Sequence, residues 1–336
     1  MKISILIPTK NRLPILRETL HNIYFVNKLP KEDFEVIVSN DGDDDLSVLS
    51  EEFPFENLKI VKNTHNHGAA GNRNNAADYA QYEILQFLDD DILITENFLE
   101  RVIDLHKSYS DVIISHKEFF SQAYINKANE TPFGIYRLNF INTIMPRETI
   151  KEFNNDGLYE VNFTIAGALS VGKNVFYQVG KFDEKFPYAG WEDAEFAYRT
   201  FHNGVKLLYD VKNPFFHNET DRLILDAWLK RQKEDFKTLV MMCQKYPIFQ
   251  TYSSWVTNTP IQKSDSKDVK LLKLKKIFCS FPPIYNFLHF LAIYGEKIKL
   301  PNSFLFRLYN ALWLGATYRE FREAYKEIFK NKKHED

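Results

Sequence analysis

Three consecutive aspartates, Asp89-Asp90-Asp91, come directly after the apolar run Glu83-Ile84-Leu85-Gln86-Phe87-Leu88. Hard divalent cations such as Mg²⁺ and Mn²⁺ prefer carboxylate and phosphate oxygens, so an Asp-x-Asp pair can hold a cation against a diphosphate. The competing interpretation of three aspartates is a solvated acidic turn. Their position at the end of a predicted strand favours the metal site.

Two other segments carry side chains that suit a nucleotide ligand. Asp41 follows the second apolar run, and its carboxylate can accept a hydrogen bond from a base N–H, although an Asp-Gly turn is an equally good explanation. Residues 66–76 form a Gly-rich approach to a helix N-terminus, which can present backbone N–H groups and the cation of Arg73 to an anion. Taken alone, that segment is better explained as a helix cap with a surface arginine.

A general base for an acceptor hydroxyl is offered by Glu192 and Asp193, which open a predicted helix beside Trp191. Trp191 can stack on a sugar face. The alternative explanation for Glu192 and Asp193 is that acidic residues at a helix start offset the helix dipole. His217 follows a predicted strand at 206–209 among aromatic residues. It is a structural histidine or a third metal ligand.

The elements that must position these side chains alternate along the first 115 residues. The predicted strands are Ile3–Ile7, Phe34–Val38, Leu58–Val61, Glu83–Leu88 and Val112–Ser115, and the intervening helices include 13–26 and 72–82. This alternation predicts an α/β fold with a mostly parallel sheet and helices on both faces. Ligands of such sheets bind outside the carboxyl ends of the strands, where segments 8–12, 40–45 and 89–91 would meet.

Composition narrows the class of protein. The net charge of −2 argues against a nucleic-acid-binding protein, and no apolar run reaches the roughly 18 residues of a membrane span. Lys2 leads straight into the first strand, so a secretory signal is not predicted. Cys243 and Cys279 fit no disulfide or metal pattern and favour a reducing compartment. We expect a cytoplasmic protein.

In their order and spacing, the motifs resemble the family-2 glycosyltransferases of the GT-A fold, over residues 1 to about 220. The matching segments are Ser4–Arg12, Val38–Gly42, Asn66-x-Gly68 with Arg73-Asn74, Phe87–Asp91, Gly167–Ser170, Gly180–Glu184 and Glu192-Asp193, then Arg199 with Gly204, and His217. The chain departs from the family pattern at Asn72 and Lys181.

The resemblance implies a role for each matching residue. Asp41 would bind the nucleobase and Arg73 would help to hold the nucleotide. Asp89 would meet the ribose or the metal, and Asp91 would be the main protein ligand of Mn²⁺ or Mg²⁺, with His217 at the metal or diphosphate. The other expected donor-binding residues are Pro8, Thr9, Asn11, Arg12 and Asp90.

On the acceptor side, the resemblance implies that Asp193 is the general base of an inverting, single-displacement transfer. Glu192 would assist it, with Trp191 and Gly167 shaping the acceptor site. The donor would be a nucleotide-diphosphate sugar, most simply a UDP-sugar. The acceptor would be a glycan, lipid-linked or protein hydroxyl in the synthesis of a bacterial surface glycan. The sequence lacks the Gln-x-x-Arg-Trp signature of processive synthases, so transfer of a single sugar is expected.

Two other functions compete with this prediction. A sugar nucleotidyltransferase would need a Gly-rich loop after the first strand, and residues 8–12 contain no glycine. A non-catalytic nucleotide-sugar binding module would not need a base, so the presence of both Asp91 and Asp193 disfavours it.

Residues 221–336 lie outside the resemblance and are predicted to be helical. Their basic stretch consists of Lys263, Lys267, Lys270, Lys273, Lys275 and Lys276, followed by Phe278, Phe281 and Tyr285. It can touch an anionic membrane surface, on the inner face of the membrane, where a lipid-linked acceptor would be held. The equal alternative is a helical bundle that packs on the catalytic domain or forms a homodimer.

Overall fold

The computed structural model describes residues 1–144, 149–154 and 156–330, which form two compact units. The first unit comprises Met1–Ile125 and Pro146–Thr220, and the second comprises Asn126–Met145 and Asp221–Asp336. Segment 126–145 falls within residues 1 to about 220, over which the motifs resemble the family, but it groups with the second unit. The reason is its aromatic side chains, since Phe133 and Tyr136 pack against Trp228.

The first unit is built on a single sheet. Its strands are β1 Ile3–Thr9, β2 Phe34–Asn40, β3 Leu58–Lys62, β4 Ile84–Leu88, β5 Ile92–Ile94, β6 Val112–Phe120, β7 Thr149–Glu152, β8 Leu158–Val161, β9 Ala168–Gly172 and β10 Lys206–His217. Helices α1–α8 are Leu13–Phe25, Ser47–Glu52, Ala69–Asp78, Phe98–Ser108, Gln122–Ala128, Pro132–Ile144, Lys173–Gln178 and Glu192–His202, of which α6 lies in the second unit.

The strand order is β3-β2-β1-β4-β9-β6-β10-β8-β7, and β5 pairs with β10. The order β3-β2-β1-β4 is parallel, as predicted, and β6 is parallel to β10. Strand β9 lies antiparallel between β4 and β6, which makes the sheet mixed. The sequence motif 167–171 was not predicted to be a strand, because its pairing partners are far away in the chain.

Alternation along the strands divides the core between the two faces of the sheet. Ile3, Ile5 and Ile7 pack into one hydrophobic cluster, while Leu6 points to the other face. Each fully buried aliphatic side chain contributes about 1.5–3 kcal/mol. Helices α1 and α4 cover the first face, and α3, α7 and α8 cover the second. This α/β arrangement fixes the carboxyl ends of β1, β2 and β4 side by side.

The second unit is helical, as predicted for residues after 220. Besides α6, its helices are α9 Leu225–Lys245, α10 Ser253–Val256, α11 Lys267–Ser280, α12 Pro282–Lys297 and α13 Asn302–Tyr325. Its core is aromatic: Phe133, Trp228 and Tyr309 are buried together with leucines of α13. Cys243 and Cys279 are buried free thiols in this unit.

Candidate active site

Asp90 ties the end of β4 to the loop that follows β1. Its carboxylate accepts a hydrogen bond from Thr9 Oγ1 at 2.7 Å and a salt bridge from Arg12, and it is almost fully buried. Its backbone oxygen accepts a hydrogen bond from Thr19 Oγ1 at 2.7 Å. The structure therefore brings Thr9, Arg12 and Asp90 together, in an arrangement that holds the loop in place.

Asp91 lies between a cation and an imidazole. Arg12 donates to Asp91 Oδ2 at 2.9 Å, and Asp91 Oδ1 lies 3.8 Å from His217 Nδ1. The backbone N–H of Asn218 also donates to Asp91 O at 2.7 Å, which joins the ends of β4 and β10. His217 is thus beside the aspartates, and its assignment as a third metal ligand stays a prediction.

Glu118 approaches the same imidazole from the other side, with Oε2 lying 3.5 Å from His217 Nε2. Burial lowers the pKa of His217, but the neighbouring carboxylates of Asp91 and Glu118 outweigh it and raise that pKa well above its usual value. Glu118 is not among the site residues predicted from the sequence, because the predicted strand ends at Ser115. The parallel pairing of β6 with β10, which places Glu118 opposite Phe215, is not readable from local sequence.

Arg73 bridges two acidic residues from distant parts of the chain. It donates to Asp89 Oδ1 at 2.7 Å and to Glu192 Oε1 at 2.8 Å, and its own side chain is only 3% exposed. Burial favours the neutral guanidine, but Asp89 and Glu192 outweigh this and raise the pKa of Arg73. The contact joins the end of β4 to the start of α8.

Glu192 and Asp193 differ in their surroundings. Glu192 is buried, and its second oxygen accepts from the backbone N–H of Gly190. Asp193 is half-buried; its Oδ1 accepts from the N–H of Ala194 at 2.7 Å, and its backbone oxygen accepts from Thr164 Oγ1 at 3.0 Å. Both oxygens of Glu192 are held by the protein in a buried position, whereas Asp193 is partly exposed to solvent, so Asp193 is the more accessible of the two.

Trp191 and Gly167 border this region. Trp191 is half-buried and precedes the first turn of α8. Gly167 accepts a backbone hydrogen bond from Asp89 at 3.0 Å. A Cβ at Gly167 would lie 3.6 Å from His217 Cε1 and 3.7 Å from Asp89 Oδ2, so the absence of a side chain leaves space between these two groups.

The side chains around this space are of the types that bind a divalent cation. Asp89, Asp91 and His217 offer carboxylate oxygens and one imidazole, the ligand types that Mn²⁺ and Mg²⁺ accept. Across the part of the chain that the structure describes, no group of three or more His, Cys, Asp or Glu side chains is already arranged as a metal site. Cation binding would therefore require His217 and the carboxylates to reorient around the space at Gly167.

Asp41 lies at the end of β2 among hydrogen-bond donors. Its carboxylate accepts from Asn63 Nδ2 at 2.7 Å, from the Gly68 N–H at 3.1 Å and from Lys10 Nζ at 3.1 Å, and it contacts His67 Nδ1 at 2.6 Å. Burial raises the pKa of Asp41, but these donors together lower it below its usual value. Asp41 is therefore ionised and acts only as an acceptor.

The remaining predicted donor-site residues, Pro8 and Asn11, lie near the end of β1 and in the loop that follows it. Pro8 is half-buried near the end of the strand. Asn11 is exposed and has a φ of 55°, a left-handed conformation that asparagine tolerates better than most residues. Its Oδ1 accepts from the N–H of Asp43 at 2.7 Å, which joins this loop to the loop after β2.

Comparison with known proteins gives consistent matches. The model of the family described as Glycosyl transferase family 2 matches residues 4–166. The chondroitin synthase of Escherichia coli is 28% identical over 251 residues, which are 66% of this chain and 36% of the synthase. The poly(ribitol-phosphate) beta-glucosyltransferase of Bacillus spizizenii is 35% identical over 120 residues, 34% of this chain and 19% of that protein. The chain thus spans well under two thirds of the length of these relatives.

Among solved structures, the mannosyltransferase PcManGT from Pyrobaculum calidifontis, in complex with GDP-Man and Mn²⁺, matches with a TM-score of 0.55. The match covers 98% of this chain and 87% of that chain, at 16% sequence identity. At this identity the match shows a shared fold. The α/β GT-A fold expected from the sequence is therefore confirmed.

Proposed function

Because the chain belongs to glycosyl transferase family 2, we propose that it transfers a single sugar from a nucleotide-diphosphate sugar to an acceptor hydroxyl, inverting the anomeric carbon. The observation that carries this proposal is the bridge that Arg73 makes between Asp89 and Glu192. It ties the strand end suited to a diphosphate to the helix start that carries Asp193. The diphosphate leaving group and the acceptor hydroxyl can thus be held at fixed positions relative to each other.

The donor is a nucleotide sugar, and we expect a UDP-sugar. Asp41 is kept ionised, so it can accept the N3–H of uracil. His67 and Lys10, two of its present donors, have largely exposed side chains and can be displaced by a base without leaving a buried group unpaired. The presence of GDP-Man in the mannosyltransferase of the same fold supports a nucleotide sugar as the ligand class.

Asp89, Asp91 and His217 would hold Mn²⁺ or Mg²⁺ at the space beside Gly167. The Mn²⁺ in the mannosyltransferase structure supports this choice. When bound, the cation offsets the negative charge that develops on the departing diphosphate. Arg73, pinned between Asp89 and Glu192, adds a fixed positive charge on the donor side, and Arg12 keeps Asp91 oriented.

On the acceptor side, Asp193 removes the proton of the attacking hydroxyl. The acceptor oxygen bonds to the anomeric carbon from the face opposite the diphosphate, and the bond to the diphosphate oxygen breaks. Glu192, with both oxygens held by Arg73 and Gly190, positions this segment, and Trp191 offers a ring for a sugar face. The names of the two relatives support a glycan or glycopolymer of a bacterial surface as the acceptor class.

The test is a panel of nucleotide sugars added to the purified chain with and without Mn²⁺. A bound donor raises the melting temperature by mass action, so one donor should raise it and only with Mn²⁺ present. Asp91→Asn should abolish the shift. Asp193→Asn should keep the shift but lose nucleotide release, which a coupled assay measures in the presence of candidate acceptors.

The matched control is Asp104→Asn, an exposed aspartate on α4 that should retain both signals. A chain that responds to no donor, or responds equally in the absence of metal, would contradict the donor proposal. Nucleotide release that persists at the parent rate in Asp193→Asn would show that another group is the base.

A further inference from the structure

Helix α11 places its lysines and its apolar residues on unexpected sides. Lys273 and Lys276 are buried, whereas Leu271, Leu274 and Phe278 are exposed. Two of the six lysines of the basic stretch are therefore not available to a membrane surface, one of the two alternatives that the sequence leaves open. Burying an ammonium group is costly unless it is paired, and exposing large apolar side chains to water is also unfavourable.

The buried lysines have specific partners within the second unit. Lys273 Nζ lies 2.7 Å from Asp265 Oδ2 and donates to Pro260 O at 3.1 Å. Lys276 Nζ donates to Thr257 Oγ1 at 2.9 Å and to Asn258 Oδ1 at 3.0 Å. These contacts fix the rotation of α11 and keep its apolar side facing outward.

Helix α12 continues the pattern after the junction at Phe281. Its exposed side chains include Phe287, Phe290 and Tyr294, spaced by three and four residues along one side of the helix. Phe281, at the junction, is itself 57% exposed. The two helices thus present an aromatic-rich apolar stripe, defined here as Leu271, Leu274, Phe278, Phe287, Phe290 and Tyr294.

Basic side chains flank the stripe. Lys267 and Lys275 are exposed on α11, Lys297 is exposed at the end of α12 and Lys299 just after it. The exposed acidic residues of this region are fewer: they include Asp268 on α11 and Asp226, which contacts His289 of α12. No single helix in the described parts of the chain is long and apolar enough to cross a membrane. Taken together, α11 and α12 are long and apolar enough to cross a membrane, but the pair is bent by 80°.

We propose that the stripe on α11 and α12 docks on the surface of an anionic lipid bilayer, with the apolar side chains in the interfacial region and the flanking lysines against the headgroups. Amphipathic helices bind membranes by buried apolar area together with attraction between lysines and anionic lipids. A two-fold contact between copies would instead bring the same positively charged region against itself. The bilayer is therefore the occupant that complements both the apolar and the charged features.

The experiment is flotation of the purified chain with vesicles of phosphatidylcholine alone or of phosphatidylcholine with about 30% phosphatidylglycerol, an anionic lipid. We expect binding to the anionic vesicles that weakens as salt is added. Phe278→Ser/Phe287→Ser/Phe290→Ser should reduce binding at least about tenfold. Lys267→Gln/Lys275→Gln should reduce it by about 25-fold, at about fivefold per lysine.

Matched controls change equally exposed residues of the second unit outside the stripe. Ile224→Ser/Ile248→Ser removes apolar groups, and Lys230→Gln/Lys245→Gln removes two charges. Both should bind like the parent, and circular dichroism melts should show that every variant is folded. A carbonate wash should release the bound chain.

Four results would overturn the proposal. The first two are that the parent chain does not float with anionic vesicles and that the triple phenylalanine variant floats as well as the parent. The third is that the chain stays bound after the carbonate wash, which would indicate that the bent pair inserts into the bilayer. The fourth is that the parent forms a dimer but does not bind vesicles, and that the triple variant no longer forms this dimer.

Discussion

The guanidinium of Arg73 donates to Glu192 Oε1 at 2.8 Å, and both side chains are almost completely buried. Such a pair contributes little net stability when it is intact, but losing one partner leaves an uncompensated buried charge. The pair therefore acts mainly as a positional constraint between α3 and α8.

This ion pair predicts that substitutions of Arg73 and Glu192 have coupled effects on the free energy of unfolding. Glu192→Ala should lower the free energy of unfolding by about 3 kcal/mol, because Arg73 then keeps only Asp89 as a carboxylate partner. Urea denaturation of Arg73→Met, of Glu192→Ala and of the double variant Arg73→Met/Glu192→Ala measures the coupling energy between the two side chains. The double variant should lose less than the sum of the single losses; additive losses would mean that the pair does not constrain the fold.

A second prediction concerns the space beside Gly167. Gly167→Ala should fold normally, with the free energy of unfolding changed by less than about 1 kcal/mol, because its Cβ would make only ordinary contacts. The added methyl group nevertheless enters the space between Asp89 and His217. Mn²⁺ affinity, measured by calorimetry, should fall about tenfold.

The control for this experiment is Gly172→Ala, whose Cβ would meet Ser110 O at 3.6 Å, a contact of the same kind away from the aspartates. It should bind Mn²⁺ like the parent chain. Equal affinity of Gly167→Ala and the parent would place the cation elsewhere.

Glu118 gives a third prediction, because it contacts His217 on the side away from Asp91. Groups that orient a metal-binding histidine typically affect affinity by 10–100-fold, so Glu118→Gln should weaken Mn²⁺ binding by at least about tenfold. Electron paramagnetic resonance of free Mn²⁺ measures this. Glu100→Gln, an exposed residue of α4, is the control. Parent-like affinity in Glu118→Gln would show that Glu118 does not position His217.

Much of the site was predictable because its residues follow strands directly. Asp41 and Asp89–Asp91 each end an apolar run, and the parallel order of β1, β2 and β4 brings those ends to one edge. The roles assigned to these residues remain predictions. Glu118 was not predictable in the same way, because its relation to His217 depends on the pairing of β6 with β10 across about a hundred residues.

The orientation of α11 was also beyond local sequence. The sequence leaves open whether the basic stretch contacts a membrane or belongs to a packed helical bundle, and it does not show that Lys273 and Lys276 are buried. The actual rotation is decided by Asp265, Thr257 and Asn258, which pair with Lys273 and Lys276. Tertiary hydrogen bonds of this kind override a simple division into polar and apolar faces.

Lys276 provides the last prediction, a dependence of stability on pH. Burial, with a smaller effect from Lys273, lowers the pKa of Lys276 from 10.5 to about 8. Between these two values the unfolded chain binds the proton more tightly than the folded chain, so stability must rise with pH in this window. The parent should gain about 2 kcal/mol relative to Lys276→Met between pH 7 and pH 10. Urea denaturation at both pH values measures the difference, in which other titrating groups cancel. Lys275→Met, an exposed neighbour, should show no such change, and a flat difference for Lys276→Met would mean that Lys276 keeps an ordinary pKa.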